Sequence, residues 1–192
     1  MKTLDDKLRM IEEVISDEDF RKNKGLSNEV GYYIFDYPAK EELKVRGYLD
    51  HLKERNKTNQ PGYQLKVYDV YDIMVDLLEE EGLYEDCIEM EANEGLAYLV
   101  SAVNDILRID YDDNYINTYI EENTPDNSVV FITGVGKIFP FVRSHGLLNK
   151  LHQVFSRVPV VLFYPGVYDG QSLILFSEFK DDNYYRAFPL IV

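Results

Sequence analysis

Apolar residues recur at helical spacing in TLDDKLRMIEEVIS, residues 3–16, where Leu4, Leu8, Ile11 and Ile15 share one face. Thr3 suits the N-cap, and Asp5 and Asp6 suit the positive end of the dipole. Ser16-Asp17 suggests a second short helix through Phe20, stopped near Lys24-Gly25. The period then shifts. Residues 30–37, VGYYIFDY, are aromatic and β-branched and predict a strand. Pro38 opens a long charged helix in which Leu43, Tyr48 and Leu52 are expected to be buried. After the turn Asn59-Gln60-Pro61-Gly62, residues 63–70 alternate and predict a second strand. Helices are predicted from Tyr71 with a break near Gly82, from Gly95 to Leu107, and from Asn114 to Glu121.

The last third reads differently. Residues 128–133 and 158–164 are short continuous apolar runs, as in strands buried on both faces. Between them, Phe141 to Phe155 predicts a helix with Leu147, Leu148, Leu151 and Phe155 inward. Residues 172–176 and 184–192 predict two further strands. Buried strand, helix, buried strand implies a mostly parallel sheet with right-handed crossovers. The expected fold is α/β, Rossmann-like in three layers, a single domain over residues 1–192 with an acidic helical insertion at about 71–123.

Charge narrows the partners. The net charge of −15 opposes nucleic acid and suits a basic protein surface. It is unevenly spread: residues 127–168 contain no Asp or Glu, and Lys137, Arg143, Lys150 and Arg157 give +4, leaving −19 on the rest. Buried strands account for this, and so does a local electropositive site on an acidic body. One cysteine, Cys87, allows no internal disulfide and no cysteine metal cluster. No apolar run reaches 18 residues and the N-terminus does not resemble a secretory signal, so a cytoplasmic protein without a membrane span is expected.

The stretch FITGVGKIFP, residues 131–140, resembles a nucleotide loop only superficially. A P-loop would need glycine at Phe131 and a hydroxyl at Ile138; a dinucleotide fingerprint would need glycine at Phe139. Pro140 removes a donor nearby. The expected structure is a tight turn at Gly134 and Gly136, with nucleotide or phosphate binding by residues 134–137 as the alternative. Tyr164-Pro165-Gly166-Val167-Tyr168-Asp169-Gly170-Gln171 follows the next strand and should emerge on the same edge. Lys137, Arg143 and His145 would there meet Tyr168 and Asp169, unless the two turns are unrelated. Ser144 beside His145 makes no catalytic dyad, because neighbouring helical side chains diverge. His51, His145 and His152 match no metal spacing, and Glu79-Glu80-Glu81 and Asp112-Asp113 read as solvated faces. No cofactor or metal is expected. Sixteen tyrosines and no tryptophan, with Tyr184, Tyr185 and Arg186 near the end, suggest an interface.

Several blocks in order and spacing resemble the BrxB family of BREX bacteriophage-defence systems. They are KGLSNEVG at residues 24–31 leading to IFDY at 34–37, GVGKIFPFVRSH at 134–145 followed by Leu147-Leu148-Asn149, PVVLFYPGVYDGQ at 159–171, and DNYYRAF at 182–188. The resemblance implies a small non-enzymatic component of a multi-protein system, acting by binding other BREX proteins, above all a PglZ-like phosphatase-domain protein. It implies no catalytic residues. The partner-binding candidates are therefore Lys137, Arg143, His145, Tyr168, Asp169, Tyr184, Tyr185 and Arg186, held by loop-forming Gly134, Gly136, Pro165, Gly166 and Gly170.

Overall fold

The computed structural model describes residues 2–22, 31–142, 157–181 and 187–192. Helix α1 (Leu4–Ser16) starts with the expected cap: the Asp6 N–H donates to Thr3 Oγ1 and the Thr3 N–H donates back to Asp6. Asp17 caps α2 (Glu18–Arg21). Strand β1 (Tyr32–Tyr37) leads through a 3₁₀ turn (Ala39–Glu41) into α3 (Glu42–Asn59) and β2 (Gln64–Asp69). Four helices follow: α4 (Val70–Glu80), α5 (Tyr84–Glu94), α6 (Leu96–Ile106) and α7 (Tyr115–Glu122). Then come β3 (Ser128–Thr133), the one-turn helix α8 (Val135–Ile138), β4 (Val160–Tyr168), β5 (Leu173–Leu175), β6 (Phe179–Asp181) and β7 (Phe188–Pro189).

The main sheet runs β2-β3-β4-β1-β7 and every pair in it is parallel, as the buried apolar runs require. Alternation along each strand builds two cores. Phe35, Val129, Phe131, Val161 and Phe163 face α1 and α3, against Leu8, Ile11, Ile15, Val45, Leu49 and Leu52. Ile34, Val130, Ile132, Val160 and Leu162 face α4–α7, against Met74, Leu78, Val103, Ile116 and Ile120. The acidic segment thus packs on the sheet as the β2-to-β3 crossover, its carboxylates outward and its apolar stripe inward.

Four expectations need correction. Leu43 is 80% exposed, because at about 100° per residue it stands opposite Leu52 on α3, whose buried stripe is Val45, Leu49 and Leu52. The strand expected to end at Tyr164 continues to Tyr168. Pro165 is tolerated there because it lies level with Tyr37, where β1 ends, and its carbonyl accepts the Phe176 N–H at 2.9 Å. The strand expected to run to Val192 ends at Pro189. Finally, β5 pairs antiparallel with β4 and is followed by an unforeseen strand, β6. Their turn places Phe176 and Ser177 at φ 54° and 62°, a type I′ geometry that sequence signals through Asn or Gly and not through Phe. The helix expected from Phe141 to Phe155 lies mostly outside the described residues.

Candidate functional site: the carboxyl edge of the sheet

Open parallel sheets place their crevice where successive connections diverge. From β1 the chain crosses to the far edge at β2, whereas from β4 it goes the other way to β7. The diverging pair is β1 and β4. Its carboxyl end is occupied by the protein itself, since β4 runs on past β1 into the β5–β6 hairpin. Asp36 at the end of β1 accepts the Tyr168 N–H at 3.3 Å and pairs with Lys7 at 2.9 Å. Next to it, Tyr37 donates to Glu42 at 2.6 Å, and Glu42 also holds Arg46 at 2.8 Å. Burial, then the Glu42 contact, pushes the Tyr37 phenol far above its ordinary value.

The turn after β3 lies beside Pro165, whereas Gly166 sits inside β4 and Gly170 in the β4–β5 turn beyond it. Gly134 (φ +79°) turns the chain out of β3 into α8, and Gly136 sits inside that helical turn, not in a plain reversal. A Cβ on Gly136 would lie 2.9 Å from the Phe176 ring and 3.2 Å from Pro165, so the loop after β3 packs on the hairpin after β4. Gly166 is equally constrained: its Cβ would stand 2.1 Å from the Ile174 carbonyl oxygen.

Lys137 turns to the β2–α4 side. Its Nζ lies 2.7 Å from Asp69 and 2.8 Å from Asp72, and 5.3 Å from the Tyr71 ring centroid. Tyr168 is buried and reaches the β7 side, donating to the Ala187 carbonyl at 2.7 Å. Asp169 is exposed and caps the β4–β5 turn, accepting from the N–H groups of Ser172 (2.7 Å) and Gln171 (2.8 Å), while Gly170 supplies φ +93°. Those two bonds hold its carboxyl below the usual range. Arg143, His145, Tyr184, Tyr185 and Arg186 lie outside the described residues. The geometry opposes a phosphate at residues 134–137: the lysine is committed to two carboxylates, and Asp69 stands against Gly134, where an anion would need donors. Among the described residues, no three His, Cys, Asp or Glu side chains gather to hold a metal ion, and no helix is long and apolar enough to cross a membrane.

Sequence reasoning missed Asp36, Asp69, Asp72 and Glu42. Asp69 could have been found, since Asp before an apolar helical stripe is a capping signal; its side chain accepts from the Tyr71 and Asp72 N–H groups.

The Lys137 clamp carries a pH signature. Burial pulls its ammonium down, but hydrogen bonds and charge from Asp69 and Asp72 outweigh this and hold its pKa above the ordinary lysine value. A folded pKa above the unfolded one gives stability that is complete below about 10.4 and is lost as pH rises through the folded value. Lys137→Met is expected to cost about 1 kcal/mol at pH 7. Urea midpoints should converge with wild type in strongly alkaline buffer. A gap unchanged there would assign the lysine's contribution to packing.

Fold and edge together define an open α/β protein in which β4 runs on past β1 into a hairpin and in which Asp36, Asp69 and Asp72 are paired with lysines. The family model described as BREX protein BrxB matches residues 66–190. The BREX protein BrxB of Bacillus cereus (strain H3081.97) is 44% identical over 191 residues, covering 100% of this chain and 99% of that one. The BREX protein BrxB of Escherichia coli O9:H4 (strain HS) is 34% identical over 188 residues, covering 98% and 92%. No solved structure matches the chain. The chain belongs to the BrxB family of the BREX phage-defence system.

Proposed function

We propose that this chain is a protein-interaction subunit of a BREX assembly, without chemistry of its own, and that it binds the PglZ-like phosphatase-domain protein. The observation that carries this reading is the carboxyl end of the β1–β4 pair, where β4 continues past β1 and Asp36 is already bonded to Lys7 and to the Tyr168 N–H. An acidic surface on a small α/β body fits contact with a basic protein face. The test is direct association. The purified chain mixed with the PglZ-like protein of its own BREX system should elute as one complex in size-exclusion chromatography with light scattering. Two independent peaks at micromolar concentration would refute the partner assignment. Turnover of a nucleotide or phosphoester by the purified chain, lost in Asp36→Asn, would refute the absence of chemistry.

A further inference from the structure

Beyond the sheet edge, helices α4, α5 and α6 and the Phe139-Pro140-Phe141 loop enclose an open groove of about 390 Å³. Its walls repeat one helical pattern: Tyr71, Met74, Val75 and Leu78 on α4, and Tyr84, Cys87, Ile88 and Glu91 on α5. Apolar side chains are left in solvent here. Tyr84, Ile88 and Leu96 are 37%, 49% and 47% exposed. Phe179 is also about half exposed and extends the surface by stacking on Phe139, with ring centroids 5.1 Å apart. The hairpin is held there at some cost, since Phe176 takes a left-handed backbone to set its ring against Phe139 and Gly136.

The helices that wall this groove, α4, α5 and α6, carry one sign of charge. Residues 67–107 contain twelve Asp and Glu and no Lys, Arg or His. Glu91 lines the groove, Glu79 follows Val75 by one helical turn, and Glu85 precedes Ile88 by one turn; all three are exposed. Among the described residues, the cation in the lining is Lys137, and it is already paired with Asp69 and Asp72. An apolar floor with an acidic rim is complementary to a helix with an apolar stripe and basic flanks. From this geometry we infer that the α4–α5–α6 groove is a docking site for a basic amphipathic helix of a partner protein. The inference rests on the proposed interaction role and names the chemistry of the segment received. Floor contacts should set the lifetime of the complex, and rim carboxylates its rate of formation and salt sensitivity.

The test uses the full chain and two synthetic Leu/Lys peptides of about 18 residues, one amphipathic, the other scrambled to the same composition. In fluorescence anisotropy the amphipathic peptide should bind about tenfold or more tightly than the scrambled one. Ile88→Asp with Leu96→Asp should remove about tenfold of that affinity or more. Glu79→Gln with Glu85→Gln and Glu91→Gln should weaken binding a few-fold and flatten its salt dependence. Circular dichroism melts check folding, and Ile88→Ala with Leu96→Ala serves if the Asp pair unfolds. Equal affinity for the two peptides, or no effect of the floor variants, would overturn the inference. A concentration-dependent dimer broken by the same variants would overturn it as well, by making a second copy the occupant. The purified PglZ-like protein separates this idea from the one it rests on. Equal binding of wild type and floor variants would sink the groove and keep the partner, whereas binding of neither would sink the partner and leave the peptides to decide.

Discussion

Phe163→Ala is expected to destabilise the protein by about 3–5 kcal/mol, a large share of the ~5–15 kcal/mol that holds an ordinary domain folded. Phe163 is fully buried at the middle of β4, the strand between β3 and β1. Its ring lies 5.1 Å from Phe35 and 4.8 Å from Phe131, so truncation opens a cavity bounded by three strands and by the α1–α3 layer. Three hydrogen-bonded strands cannot close over such a void, which puts the cost at the upper end for an aromatic. Phe179→Ala is the control. Its ring is half exposed on the edge hairpin, and the cost should stay near 1 kcal/mol or below. Urea denaturation of the two variants measures both. Phe163→Ala within about 1 kcal/mol of wild type would contradict a close-packed central strand.

Gly134→Ala should cost about 2–4 kcal/mol through two separable effects. The first is backbone strain at φ +79°. The second is steric, since the new Cβ would stand 2.1 Å from Asp69 Oδ1. That carboxylate has two duties: Oδ1 caps α4 through the Tyr71 and Asp72 N–H groups, and Oδ2 pairs with Lys137 at 2.7 Å. Displacing it gives up a cap worth about 0.5–2 kcal/mol and loosens the ion pair. Gly170→Ala isolates the first effect, because φ is +93° there and a Cβ would meet open space; about 1 kcal/mol is expected. In the double variant Asp69→Ala with Gly134→Ala the losses should fall short of additive, because the clash disappears with the carboxylate. Equal midpoints for Gly134→Ala and Gly170→Ala would remove Asp69 from the account.

The parallel sheet was legible because its strands are buried on both faces. Residues 129–132 within the first strand, and 158–164, are continuous apolar runs without the alternation of an amphipathic helix. The capped start of α1 and the break at Gly82 were legible from local spacing and capping signals. The family followed from the order of whole blocks. The β5–β6 hairpin was hidden, because its turn residues, Phe176 and Ser177, have no local reason to take a left-handed backbone. The aromatic contact with Gly136, forty positions earlier, supplies the reason.

Leu43 was misplaced for a local reason: nine residues before Leu52, it points to the opposite side of α3 from the buried stripe. Charge needed the fold. Glu79-Glu80-Glu81 read as a solvated face, and Glu79 is exposed. Only the folding of α4, α5 and α6 against the Phe139–Phe141 loop sets Glu91 beside an apolar floor, with Glu79 one helical turn beyond its wall. The sequence by itself therefore determined layers, strand direction and family, because burial and crossover handedness act through short-range pattern. Tertiary structure decided what fills the crevice, where Lys137 points and which apolar residues stay uncovered, because those depend on side chains that distant segments bring together.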